Sequence, residues 1–225
     1  MKKAFTMIEL VFVIVVIGIL AAVIIPNTRT NPLYEAATQL VSHIRYTQHL
    51  AMVDDKFSES NTTWYRERWQ MKFSKMGGSD NRWAYTIYSD FINQDGVPNA
   101  NETAVNPLDS SKRLTGGYSG TIEYGDSDAS NKLNLGHSFS INDIDFLNGC
   151  SSGDTQKWLS FDHLGRPLYR NMKLLDSLYK DGSISRLVTT TCKIEICTVT
   201  DCSAATSDEK VTIAIEPETG YAHIL

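Results

Sequence analysis

One segment constrains this chain more than any other. From Leu10 to Ile25 no polar side chain occurs, and the run is preceded by Met1-Lys2-Lys3-Ala4 and Phe5-Thr6-Met7-Ile8-Glu9 and closed by Pro26. As a helix, residues 5–25 would extend ~31 Å, close to the ~30 Å hydrocarbon thickness of a bilayer. Lys2 and Lys3 flank the N-terminal end, so the positive-inside rule places that end in the cytoplasm. A secretory signal peptide fits less well, because Ile19 and Leu20 precede Ala21 and Ala22 at a place where a small residue is needed. A signal peptide also leaves Glu9 unexplained, and a carboxylate inside an apolar run is costly enough to suggest a function.

Phe5-Thr6-Met7-Ile8-Glu9-Leu10, continued through Gly18-Ile19-Leu20-Ala21-Ala22 and ended by Pro26, resembles the N-terminus of type IV pilins and type II secretion pseudopilins. The match covers about the first 26 residues. The resemblance implies that a prepilin peptidase cuts between Ala4 and Phe5 and methylates the new amine of Phe5, leaving the apolar helix in the product. The family usually has glycine before the cut; here Ala4, the next smallest residue, takes its place. The resemblance further implies that Glu9 pairs with the N-terminal amine of a neighbouring subunit during filament assembly. A purely local role, in which Glu9 offsets the positive end of its own helix, is compatible with this.

Beyond the apolar run, Pro26 and Pro32 should kink or break the helix. Leu33, Ala37, Leu40, Ile44 and Ala51, with Ala36 and Val41 beside them, then follow helical spacing, which predicts an amphipathic helix from about residue 32 to Val53. His43 and His49 within it read as solvated surface residues. From Thr62 the period changes to two. Tyr65, Trp69, Met71 and Phe73 alternate with Arg66, Arg68, Gln70 and Lys72, and Trp83 to Tyr88 follows a glycine-rich turn. Trp64, Arg66, Arg68 and Trp69 could stack on single-stranded nucleic acid, but without a wider basic groove an exposed strand face is the better reading. Residues 89–135 read as loop. Asn93, Asp95 and Gly96 resemble part of a calcium loop, yet Phe91 stands where the first ligand belongs, so a turn is expected.

The last third is again strand-rich. Lys157 to Phe161 precedes a turn over Asp162-His163-Leu164-Gly165-Arg166-Pro167, and Val211–Ile215 and Tyr221–Leu225 flank Glu216-Pro217-Glu218-Thr219-Gly220 as a terminal hairpin. These two turn regions are similar to the C-terminal sheet of H-type minor pseudopilins. Cys150, Cys192, Cys197 and Cys202 suggest two disulfides; a metal site would want closer ligand pairs. In a strand from Leu187 to Thr198, Cys192 is in phase with Ile194 and Ile196 while Cys197 has the opposite parity. Of the three connectivities open to four cysteines, this favours Cys197–Cys202 with Cys150–Cys192.

No catalytic, metal or cofactor constellation emerges. His163 beside Asp162 is expected to be a turn pair. Setting aside Lys2, Lys3 and Glu9 leaves 19 basic against 25 acidic side chains, from 21 and 26 in the whole chain, a balance that does not attract nucleic acid.

The resemblance as a whole implies an α+β pilin fold: a long kinked N-terminal helix, its first half transmembrane, packed on an antiparallel β-sheet domain. Residues 1–4 would be leader, 5–25 the transmembrane part, 26–54 the rest of the helix and 55–225 a periplasmic globular domain. The protein would be a single-pass inner-membrane protein with its N-terminus cytoplasmic, a minor pseudopilin of a type II secretion pseudopilus and not an enzyme. Its partners would be prepilin peptidase, other pilin-like subunits, an assembly platform and membrane lipid. A minor pilin of a type IV pilus or DNA-uptake machine is the near alternative, and a signal-anchored periplasmic enzyme or binding protein the more distant one.

Overall fold

A computed structural model describes residues 6–24, 31–153 and 155–225. Lys2, Lys3, Ala4, Phe5 and Pro26, on which part of the N-terminal expectation rests, lie outside the described residues. The chain forms two compact units, Met1–Asn31 and Pro32–Leu225.

In the first unit, helix α1 spans Met7–Ile24, 18 residues, or about 27 Å. In the second, α2 spans Pro32–Val53. Pro32 does not break a helix. It begins one, at the position where its missing N–H and fixed φ cost nothing. The stripe Leu33, Ala36, Ala37, Leu40, Val41, Ile44, Thr47 and Ala51 is buried, and its alanines let the helix backbone approach the strands closely.

Two four-stranded antiparallel sheets receive α2. The first contains β1 (Trp69–Met76), β2 (Arg82–Ser89), β6 (Lys157–Phe161) and β7 (Pro167–Tyr169) in the order β2-β1-β6-β7. The second contains β5 (Asp143–Asn148), β10 (Cys192–Cys197), β11 (Lys210–Ile215) and β12 (Ala222–Ile224) in the order β12-β11-β10-β5. Two small hairpins, β3 (Val105–Asn106) with β4 (Asp109–Arg113) and β8 (Lys180–Asp181) with β9 (Ile184–Ser185), and the short helix α3 (Leu135–Phe139) complete the elements used here. Register places Phe73 opposite Tyr85 and Met71 opposite both Ile87 and Leu159, so the middle of one face of the first sheet is apolar. It shares a single core with α2 and with Phe146, Ile194, Ile196 and Ile213 of the second sheet. Phe73 and Phe146 meet edge to face at 5.4 Å between ring centres. The two sheets thus join through side chains, and among the described residues no ladder links them.

Gln48 of α2 ties the sheets together at their turns. Its amide donates to the carbonyls of Gly165 (2.8 Å) and Thr219 (2.7 Å), one in each of the two turn regions singled out by the sequence. Gly165 and Gly220 have φ of +80° and +62°, the left-handed region that a side chain disfavours.

Two expectations are corrected. The α+β pilin fold with one long kinked helix, half of it transmembrane, on an antiparallel sheet domain is not what forms. The fold is mixed α/β, with a short α1, a separate α2 and several small sheets. Single-pass inner-membrane anchoring, with a cytoplasmic N-terminus and periplasmic C-terminal domain, also fails. Among the described residues no helix is long and apolar enough to cross a membrane. The apolar run is as long as a span requires on paper; among the described residues its helix covers Met7–Ile24, and α2 is amphipathic.

Candidate functional site

The first candidate is the start of α1. Thr6 and Glu9 bond reciprocally: the Glu9 amide donates to Thr6 Oγ1 (3.3 Å), and the Thr6 amide and hydroxyl donate to Glu9 Oε2 (3.2 Å each). This is a capping box, which satisfies amides that a helix N-terminus leaves without partners. Glu9 therefore has a local role before any neighbour arrives. The Thr-x-x-Glu spacing is the sequence signature of such a box. From Met7 to Leu20 the helix is apolar apart from Glu9, and its side chains are exposed on every side, Phe12 to 70% and Leu20 to 55%. The peptidase and methylation positions, Ala4 and Phe5, lie outside the described residues.

The four cysteines form two bridges, Cys150–Cys192 and Cys197–Cys202. Along β10 burial alternates through Cys192, Ile194 and Ile196, with Lys193 and Glu195 half-buried between them. Cys192 leaves this strand on the core side towards Cys150. Cys197, at the strand end, reaches the tight turn at Cys202–Ala204, which Asp201 caps through the Ser203 amide (2.9 Å) and Asp143 anchors through the Cys202 amide (3.0 Å).

The aromatic and basic stretch behaves differently from the exposed strand face expected of it. Trp64–Glu67 is a 3-10 turn, and the polar face of β1 is buried: Gln70 and Lys72 are 0% and 3% exposed. Part of the 89–135 segment covers that face instead of looping into solvent. Lys72 Nζ donates to the Gly96 carbonyl (2.9 Å) and to the Tyr118 hydroxyl (2.6 Å), and it lies over the rings of Tyr118 and Trp158. Burial pulls its pKa down to about 8, against the opposing pull of Asp90 and Asp95. Asp90 accepts the Gly96 amide (2.6 Å), and burial raises its carboxyl to about 6. Arg68 is enclosed too, donating to the Leu178 carbonyl (2.8 Å) between the rings of Trp64 and Tyr179. Trp69 donates its indole N–H to Asp54 (2.8 Å). Arg68, Lys72 and Trp69 are thus engaged within the protein.

Asn93, Asp95 and Gly96 form a turn. Asp95 accepts the Val97 amide and the Asn93 side chain, both at 2.8 Å. Among the described residues no group of three or more His, Cys, Asp or Glu is placed to hold a metal. Asp162 is engaged within its own turn. Its carboxylate accepts the amides of Leu164 (3.0 Å) and Arg166 (2.9 Å), the Arg166 guanidinium (2.8 Å) and the Tyr179 hydroxyl (3.1 Å), while His163 is exposed. Burial alone would raise this carboxyl, but Arg166 holds it below the usual range.

His43 departs from expectation. It is half-buried, with Nδ1 2.6 Å from the Tyr85 hydroxyl, and burial lowers its pKa to about 4. Helical spacing placed it on the polar side of α2, and nothing local in the sequence showed that Tyr85 would reach it.

No protein family, no curated protein and no solved structure matches this chain.

Proposed function

We propose that this chain is a pilin-like structural subunit, of minor-pseudopilin type, in a filament that serves protein export. What supports this is α1: a helix with apolar residues on every side, exposed within its own unit, gains from cover by other apolar surface. Equivalent helices of neighbouring pilin-like subunits supply that cover in a filament core. Glu9, the one charge in the exposed stretch, then has two jobs. Oε2 closes the capping box, and the carboxylate as a whole neutralises the amine that cleavage between Ala4 and Phe5 would create on an adjacent subunit. Prepilin peptidase and an assembly platform are the further partners this function requires.

Two substitutions separate these jobs. Glu9→Gln keeps an oxygen for the capping box and loses the charge; Glu9→Ala loses both, at a cost of ~1 kcal/mol in helix capping. The test co-expresses the full chain with candidate pilin-like subunits, places a photo-cross-linker at Val13 and reads the mature N-terminus by mass spectrometry. The expected result is a start at Phe5, cross-links to other pilin-like subunits in the wild type, and their loss in both variants. A wild-type chain that cross-links to no other subunit would overturn the filament assignment. Wild-type cross-linking by Glu9→Gln would confine Glu9 to capping.

A further inference from the structure

Beside α2 lies a pocket of about 530 Å³ that the filament assignment does not use. Gln39 and His43 of α2 form one wall, and Asn106, Lys112, Asn131 and Lys132 the other. Leu108, projecting at 93% exposure, and the buried Leu133 add apolar surface. In a protein with 26 acidic residues, none lines this pocket.

The hydrogen bonds around the pocket engage acceptors and leave donors. Gln39 donates its amide to Tyr85 Oη (3.0 Å) and to the Lys132 carbonyl (3.0 Å). Tyr85 Oη also lies 2.6 Å from His43 Nδ1, and the arrangement in which the phenol donates satisfies the buried hydroxyl proton. In that arrangement the neutral imidazole carries its hydrogen on Nε2, as a donor. Burial lowers the pKa of His43 to about 4, so the ring is neutral at neutral pH. Asn131 uses Oδ1 to accept the Gly125 amide (3.2 Å), which leaves its NH2. Asn106 accepts the Leu108 amide (2.9 Å) and donates to Ser130 (3.1 Å), keeping a second amide hydrogen. Lys112 spends two of three hydrogens, on the carbonyls of Ala129 (3.0 Å) and Ser127 (3.5 Å). Gln39 Oε1 is the acceptor set against these donors. Glu35, outside the lining, approaches Lys132 at 3.9 Å, and Asp109 acts on Lys112, so the charge of both lysines is partly offset.

We infer that this pocket binds a small organic carboxylate, with its charge among His43 Nε2, Asn131 and Lys112 and its apolar body against Leu108 and Leu133. Partly offset lysines suit a monoanion better than a phosphate dianion, and the volume lies in the range of small-molecule sites. Nothing in this depends on α1 or on filament assembly.

Benzoate tests it, with phenyl phosphate as the dianionic comparison. Each is titrated at constant ionic strength into full-chain protein carrying ¹⁵N-labelled histidine. Benzoate should shift the His43 Nε2 resonance saturably and bind more tightly than phenyl phosphate. Asn131→Asp retains the acceptor for Gly125 but turns the donor into a negative charge, and Lys112→Met removes the ammonium. Each should weaken benzoate about tenfold, a change of ~1.4 kcal/mol. Circular dichroism checks both folds, and the near-isosteric Asn131→Asp decides if Lys112→Met does not fold. No saturable shift, tighter phenyl phosphate, or unchanged affinity in a folded Asn131→Asp protein would overturn the site.

Discussion

Lys72 should make this protein more stable as alkali is added, over a range in which most proteins weaken. Lys72 is 3% exposed and its pKa falls from 10.5 to about 8, chiefly through burial. A lysine whose folded pKa is depressed binds its proton less well in the native than in the unfolded state. Between about 8 and 10.5 the unfolded chain holds more protons at this site, so stability rises with pH. Below 8 both states are charged and the full penalty of the buried cation is present; above 10.5 both are neutral and it is gone. A difference of this size corresponds to roughly 3 kcal/mol. Lys72→Met keeps the length and removes the charge, but it strands the Gly96 carbonyl and Tyr118 hydroxyl, which offsets ~1–3 kcal/mol of the gain. Urea unfolding of both proteins from pH 7 to 10.5 measures the effect, since the difference between them cancels the titration of tyrosines elsewhere. The wild type should gain roughly 3 kcal/mol on the variant across this range. A constant difference would mean that the ammonium is solvated in the folded protein and that the 89–135 segment does not seal the face of β1.

Asp162→Asn keeps an oxygen for the Leu164 and Arg166 amides but loses the ion pair with Arg166, and should cost ~2 kcal/mol at neutral pH by chemical denaturation. The Asp162 carboxyl is depressed, so its contribution is present above its ordinary pKa of 3.8 and lost as pH falls through the lower native value; the variant should show a shallower acid loss. Removal of Cys150–Cys192, which spans 42 residues, should cost ~4 kcal/mol by loop entropy, against ~2 kcal/mol for Cys197–Cys202, which spans 5. Equal losses from the two double-serine variants in thermal unfolding would contradict that ordering.

Where residues near in sequence make the contacts, the sequence by itself determined the outcome. The α2 stripe from Leu33 to Ala51 follows from the 3.6-residue period, and the parity of Cys192 and Ile194 follows from the two-residue period of a strand. The turn containing Asp95 and the terminal hairpin between β11 and β12 were legible for the same reason, because turn chemistry acts over a few residues. Glu9 was legible as unusual, although its bond to Thr6 took the structure to identify. Tertiary structure alone decided what lies across a face. Alternation told that Gln70 and Lys72 share a side of β1, but solvent and a covering segment leave the same pattern until the chain returns; here Gly96 and Tyr118 return to it. His43 faced the same ambiguity, resolved by Tyr85, 42 residues away. The division into two sheets is also tertiary, since no local property of β7 or β12 states which edge its neighbour will leave open. A periodic pattern records which residues point the same way, and only the folded chain supplies what they meet.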